Sequence, residues 1–218
     1  MRDTEEPGGI GPTRMSGFSD GFFAIVITLL VIELRPPPLP EDAPGYRLTR
    51  ELAALWPNIA AFTISFINIL IIWVTHHELM RITEKVDTRF LYLNGMLLFG
   101  VAVAPFSTAI LAEHILGPAA RPAAAIYCGV FAWIALMFNL LWGYVATRKG
   151  RLIDSVSRRD RQRIARTYAV TLALYLLCVA LAFLAPRIAV AGTLAMAAFF
   201  AIADRLSGFA SEDIAMPE

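Results

Sequence analysis

The sequence predicts an all-α polytopic membrane protein with six transmembrane helices per subunit, and three observations lead there. The 218 residues are 57% hydrophobic and only 17% charged, where soluble domains average about a quarter charged. The mean hydropathy is +0.61. The apolar residues are gathered into six runs close to the roughly 20 residues that cross a hydrocarbon core. This composition argues against a soluble enzyme, a disordered tail and a nucleic-acid-binding module. Cys128 and Cys178 sit inside apolar runs without metal-ligand spacing and read as small buried hydrophobes.

Residues 1–13 are polar, with Glu5, Glu6, Pro7, Gly8 and Gly9, and read as an N-terminal tail. The first span runs from about Met15 to Leu34. It lacks a small-residue cleavage site and ends in Glu33-Leu34-Arg35-Pro36, so it reads as a retained anchor, not a secretory signal. Pro36-Pro37-Pro38 ends it and opens an extended loop. The second span runs from about Trp56 to Val74 and on past His77, with Pro57 in the first turn, where its missing N–H would be unpaired anyway. The third, Phe90 to Leu111, contains Pro105, which is expected to kink it. The fourth covers Ala123 to Ala146 and the fifth Thr167 to Leu184. The sixth, Ile188 to Ala203, is short and Ala-rich, separated from the fifth by little more than Pro186-Arg187. Residues 14–206 are therefore one six-helix domain, and 207–218 a C-terminal tail.

Orientation follows from Lys and Arg. With six spans, fourteen of them fall on the side of the two termini and five on the other. This places both termini in the cytoplasm of a multi-pass protein. The richest cytoplasmic segment is the loop 148–166. Beside a membrane such a run meets anionic lipid head groups and sets topology, a better reading than nucleic acid.

Polar residues at membrane depth are costly and mark the places to look for function. A carboxylate near mid-helix costs about 2.5–3.5 kcal/mol, less near an end. Asp20 lies in the first turns of the first span, and the topology brings the end of the second span and the start of the third to the same level. Arg14, Ser19, Asp20, Trp73, His76 and Asn94 then form one polar cluster, tying helices together by bonds worth about 1 kcal/mol each. The competing reading makes Asp20 and His76 the relay of a proton-coupled secondary transporter, although the internal repeats and broken helices of such proteins are not evident. A third reading, an intramembrane enzyme built on His76, His77 and Glu78, is weak. Position 81, four after His77, is Arg rather than His, and no third metal ligand is evident. Gly143-Tyr144 lies in a continuous apolar run and is no re-entrant filter. Trp133 and Trp142 read as interface anchors or packing. On the first span, Gly21, Ile25, Thr28 and Ile32 share one helical face. Periodicity does not choose between lipid and a neighbouring helix for that face.

Arg14-x-x-x-Phe18-Ser19-Asp20 resembles the R-x-x-x-F-S-D signature of the transmembrane protein 175 family of potassium-permeable channels. The segment Gly21 to Leu34, Ser65-Phe66, Trp73-x-x-His76-His77, Asn94 and Ala104-Pro105-Phe106 are also similar to the family pattern, so the resemblance covers residues 14–113. It implies a single-repeat bacterial channel of the cell membrane, assembled as a homotetramer, since one F-S-D motif is present. It implies a central pore lined by the first helix of each subunit, with no re-entrant filter, no enzymatic activity, and no cofactor or metal beyond the permeant K+ ion. Ile25 then forms the constriction, Thr28 a hydroxyl layer one turn on, and Ile32 a further apolar ring. Phe18, Ser19 and Asp20, with Trp73 and His76, hold the pore helices together. A closed ring of Ile25 side chains cannot solvate an ion and blocks by dewetting. An open one makes the ion shed water, which potassium does more readily than sodium, so modest potassium selectivity is expected.

Overall fold

The computed structural model describes residues 11–40, 42, 44–147 and 156–206, with side chains to Met196. Both tails beyond these limits, and Arg148, Lys149 and Arg151 of the basic segment, lie outside the described residues. Seven helices follow one another: α1 (Pro12–Ile32), α2 (Gly45–Ala54), α3 (Trp56–Arg81), α4 (Thr88–His114), α5 (Ala120–Thr147), α6 (Arg158–Ala182) and α7 (Pro186–Leu206). No strand occurs among the described residues. Helices α1, α3, α4, α5 and α6 are each long and apolar enough to cross a bilayer. The 21-residue α7 brings the long helices to six. In a bilayer the backbone must satisfy its own polar groups, and a bundle of long helices does so. The protein is a multi-pass, all-α membrane protein.

Two elements differ from the sequence reading. The stretch after Pro36-Pro37-Pro38 is not all extended, because α2 forms within it. Its ten residues put Leu48 and Leu52 on one side and Arg47, Arg50 and Glu51 on the other. Such a short amphipathic helix belongs at an interface rather than across a membrane. The second difference is in the basic segment, of which the part from Arg158 to Arg166 is not loop. It forms the first turns of α6, nine residues ahead of the expected start at Thr167. Ser157 caps this end by accepting the Asp160 N–H at 3.1 Å. Asp160 sits where the helix dipole favours an anion, and Arg, Gln and Ala are strong helix formers.

Helix α5 is the centre of the bundle. It packs against α4, α6 and α7, and Tyr127, Phe131, Ile134 and Leu141 are wholly buried. Helix α1 rests on α3 and α4, and α6 lies at the edge with only Tyr175, Cys178 and Ala182 buried. Cys128 and Cys178 are both buried free thiols. Asp87 caps α4 by accepting the Phe90 N–H at 3.0 Å and also accepts the Tyr144 hydroxyl at 2.6 Å, joining the start of α4 to the end of α5. Pro105 sits inside α4 without ending it.

Helices α4 and α5 meet over Gly100. A Cβ there would lie 2.6 Å from Trp133 Cδ1 and 2.9 Å from Ile134 Cγ1. The Trp133 indole is pinned, because its Nε1 donates to the Met96 carbonyl at 2.9 Å. Trp133 therefore works in packing, through a close approach of the kind that small residues allow in membranes. Gly100→Ala should overpack this contact and destabilise the protein by about 1–3 kcal/mol. Gly95→Ala, which meets open space, should be neutral or slightly stabilising through helix propensity. Thermal unfolding of the two detergent-purified variants measures the contrast.

Candidate functional site

Helix α1 has two faces of opposite character. Met15, Ser19, Phe23, Val26 and Leu30, spaced three and four apart, are buried against the rest of the chain. On the other side Arg14, Gly21, Ile25, Thr28 and Ile32 are exposed. Ile25 is 61% exposed and Ile32 65%, so two large apolar side chains a little over 10 Å apart along the helix are left mostly uncovered by the described residues. The Thr28 hydroxyl donates to the Ile25 carbonyl at 2.7 Å. With its proton committed to the backbone, its oxygen is left as an acceptor.

The buried face is fixed by polar contacts. The Asn94 amide Nδ2 donates to Ser19 Oγ at 3.1 Å, and the Asn94 oxygen is 2.7 Å from His76 Nε2. An amide oxygen only accepts, so His76 carries its proton on Nε2. Its Nδ1 is then an acceptor, buried and without a hydrogen-bond partner. The Phe23 ring lies against the imidazole with centroids 5.4 Å apart. Ser19, His76 and Asn94 are all fully buried and come from α1, α3 and α4. Beside this chain is a second contact. Trp73 Nε1 donates to Asp20 Oδ1 at 2.8 Å, and the Ser16 hydroxyl donates to Asp20 Oδ2 at 3.3 Å.

The six expected members of one cluster thus fall into separate arrangements. Ser19, His76 and Asn94 make one hydrogen-bonded chain. Asp20 and Trp73 make another, joined by Ser16, which sequence reasoning did not single out. Asp20 and His76 share no hydrogen bond. Arg14 is exposed and bonds none of the other five, and Phe18, 64% exposed, meets only the ring of Phe22 among its aromatic neighbours. His77 faces outward beside Trp73, and Glu78 pairs with Arg81 at 2.8 Å in an exposed contact of little energetic consequence. Among the described residues, no three His, Cys, Asp or Glu side chains converge to hold a metal ion.

A second network lies deeper in the bundle. The hydroxyls of Ser65 and Thr108 are 2.7 Å apart, and those of Ser65 and Tyr127 3.1 Å. The Tyr175 hydroxyl donates to Asn68 Oδ1 at 3.2 Å, while the Asn68 amide donates to the Ile64 carbonyl. These contacts connect α3 with α4, α5 and α6. The signal that would have pointed here is Asn68, an amide in the middle of an apolar run.

The segment holding the α1 contacts also matches known proteins. The family described as endosomal/lysosomal potassium channel TMEM175 matches residues 14–105, which contain Ser19, Asp20, Trp73, His76 and Asn94. A potassium channel of Chamaesiphon minutus is 40% identical over 189 residues, 87% of this chain and 93% of the relative. The chain belongs to the TMEM175 family. A potassium channel of Streptomyces collinus is 42% identical over 142 residues, 65% of this chain and 67% of that protein. The fold agrees as well. The crystal structure of a lysosomal potassium-selective TMEM175 homolog from Chamaesiphon minutus superimposes with a TM-score of 0.79 at 38% identity, over 88% of this chain and 97% of that one.

Removing Asn94 orphans two buried groups, whereas Trp73→Phe removes one donor and leaves half-buried Asp20 with Ser16. Asn94→Ala should therefore destabilise by about 1–3 kcal/mol per orphaned group at most, and Trp73→Phe by about 1 kcal/mol or less. Thermal unfolding of both variants in the same detergent checks the order.

Proposed function

We propose that this protein is a potassium-permeable channel of the cell membrane, conducting through a homotetramer whose four α1 helices line a central pore. The observation that carries the proposal is the exposed face of α1. A membrane-spanning helix that buries one side on its own subunit and leaves Gly21, Ile25, Thr28 and Ile32 exposed suits a position on a symmetry axis. The naming of the TMEM175 relatives as potassium channels supports the choice of ion. The tetramer rests on the family resemblance.

In this reading residues 14–206 are the channel domain. Ile25 forms the constriction, Thr28 a ring of hydroxyl oxygens about 4.5 Å further along the helix, and Ile32 a second apolar ring. The chain Ser19–Asn94–His76 and the contact of Asp20 with Trp73 hold α1 at the angle that turns these residues to the axis. Arg14 and Phe18, exposed in the single chain, face neighbouring subunits. The bias of basic residues puts both termini in the cytoplasm, with the basic segment 148–166 against anionic lipid. The protein supplies side chains to the ion and no bond-making chemistry, so it acts as a channel and not as an enzyme. A proton-coupled transporter is disfavoured because Asp20 and His76 are engaged by Trp73 and Asn94 rather than by each other.

Purified protein in liposomes should pass potassium faster than sodium. Ile25→Asn should wet the constriction and lower that preference. Bi-ionic bilayer recordings measure both. Absence of potassium flux would sink the channel reading, and unchanged selectivity in Ile25→Asn would remove Ile25 from the constriction.

A further inference from the structure

Helices α3 and α6 are joined by the Tyr175–Asn68 bond and otherwise stand apart, with α5 behind both. Between them is a narrow groove with a cavity volume of about 50 Å³, open along one side. Its walls are Ile71 and Ile72 of α3 and Tyr168 and Tyr175 of α6, and its floor is Ile134 and Phe138 of α5. A slot this small does not enclose a compact ligand, but being open at the side and lined mostly by aliphatic and aromatic side chains it admits a slender apolar chain lying along it.

Most of the polar side chains along it are hydrogen-bonded within the bundle. Tyr175 donates to Asn68, and Asn68 to the Ile64 carbonyl. The hydroxyls of Thr75 and Thr171 donate to the carbonyls of Ile71 and Thr167 at 2.9 and 2.7 Å. These bonds turn the polar groups toward the bundle and the lining left is mostly apolar, so the chemistry that fits is hydrocarbon. The groove also has a charged end. Arg161, Tyr168 and Tyr175 are spaced by seven residues and lie on one face of α6, which puts Arg161 about 10 Å beyond Tyr168. Arg161 is half-buried, and its Nε donates to the Val156 carbonyl at 3.3 Å, using one of five guanidinium donors. Asp160, its acidic neighbour, is turned into the cap contact with Ser157. Arg158, Arg159, Arg163 and Arg166 add positive charge to the same helix end.

We infer that the α3–α6 groove binds one acyl chain of an anionic phospholipid, with the lipid lying along α6 and its phosphate at Arg161. Complementarity of charge at one end and apolar lining along the rest select this occupant over a neighbouring subunit, which would bring no phosphate to Arg161. The inference rests on the helices spanning a bilayer and not on which ion crosses the pore.

Native mass spectrometry of the full-length protein, given equal amounts of palmitoyl-oleoyl phosphatidylglycerol and phosphatidylcholine, tests it. The unsubstituted protein should retain one lipid per chain and prefer phosphatidylglycerol by about fivefold, the effect of one Arg near an anionic head group. Ala135→Trp, which fills the groove from its floor, or Thr171→Phe, which fills it from the α6 wall, should lose the retained lipid of either kind. Arg161→Gln, at the edge of the bundle, should keep the lipid and lose the preference. Retention of lipid at the unsubstituted level in a folded filling variant would overturn the inference. So would an unaltered preference in Arg161→Gln, or efficient cross-linking of the Thr171→Cys variant to an adjacent subunit. Lipid counting does not depend on flux, so failure here and failure of the channel reading are told apart.

Discussion

Helix α1 is attached to its own subunit along one face, and the hydrogen-bonded chain Ser19–Asn94–His76 decides which face that is. In a bilayer, apolar side chains find lipid tails as agreeable as other side chains, so hydrophobic burial gives little preference for one helix rotation over another. Polar groups do. Turning α1 by one residue, about 100°, would carry Ser19 away from Asn94 and leave the buried Ser19 hydroxyl and Asn94 amide without each other, while Asn94 kept its bond to His76. The same turn would move Ile25, Thr28 and Ile32 off their common exposure. The orientation of the outward face is therefore set by contacts that lie on the other side of the helix.

The two polar networks divide the structural task. Ser65, Thr108, Tyr127, Asn68 and Tyr175 bind α3, α4, α5 and α6 into a scaffold, and α1 takes no part in it. Among the described residues, helix α1 is tied to its neighbours by side-chain hydrogen bonds only through Ser19 and Asp20, within its first turns. Beyond Asp20 it is held by packing of Phe23, Val26 and Leu30. The stretch from Ile25 to Ile32 can therefore shift relative to the scaffold without breaking any interhelical hydrogen bond, while its base stays fixed. The buried and unpaired Nδ1 of His76 is an expense of this arrangement. The tautomer that serves Asn94 leaves the other ring nitrogen facing apolar neighbours such as Phe23.

Much of this was legible in the sequence, for reasons of length and cost. Apolar runs of about 20 residues mark spanning helices without help from context, and the six long helices fall where those runs lie. Asp20, His76 and Asn94 stood out because polar groups in apolar runs are costly. Other features were hidden. Helix α2 has too few residues for hydropathy to separate it from a loop, and the prolines before it suggested extended chain. The start of α6 was hidden because arginines beside a membrane read as topology signals, although Ser157 and Asp160 spelled out a helix cap. The hydroxyl network around Ser65 was invisible because Ser, Thr and Tyr are ordinary in membrane helices, and only the rotation of four helices relative to one another brings them together. The separation of Asp20–Trp73 from Ser19–Asn94–His76 depends on the same information. Membrane level can be counted along a sequence, but the direction in which each side chain leaves its helix must be seen.

The uninterrupted helix also limits how an ion can be discriminated on the proposed path. The carbonyls of α1 between its ends are engaged in the helix, so none turns outward to replace water around a cation, as carbonyl-lined filters do. Along the exposed face from Ile25 to Ile32 the one side-chain oxygen is that of Thr28. Its proton is bonded to the Ile25 carbonyl, which points its lone pairs away from the helix and suits a cation better than an anion. A ring of single hydroxyl oxygens between two apolar rings offers partial coordination at best. Discrimination must then come mainly from the energy of removing water at Ile25, which favours the larger and more weakly hydrated ion. Such a pore ranks potassium above sodium by ease of dehydration, not by fit, and its selectivity varies with the width of the apolar ring.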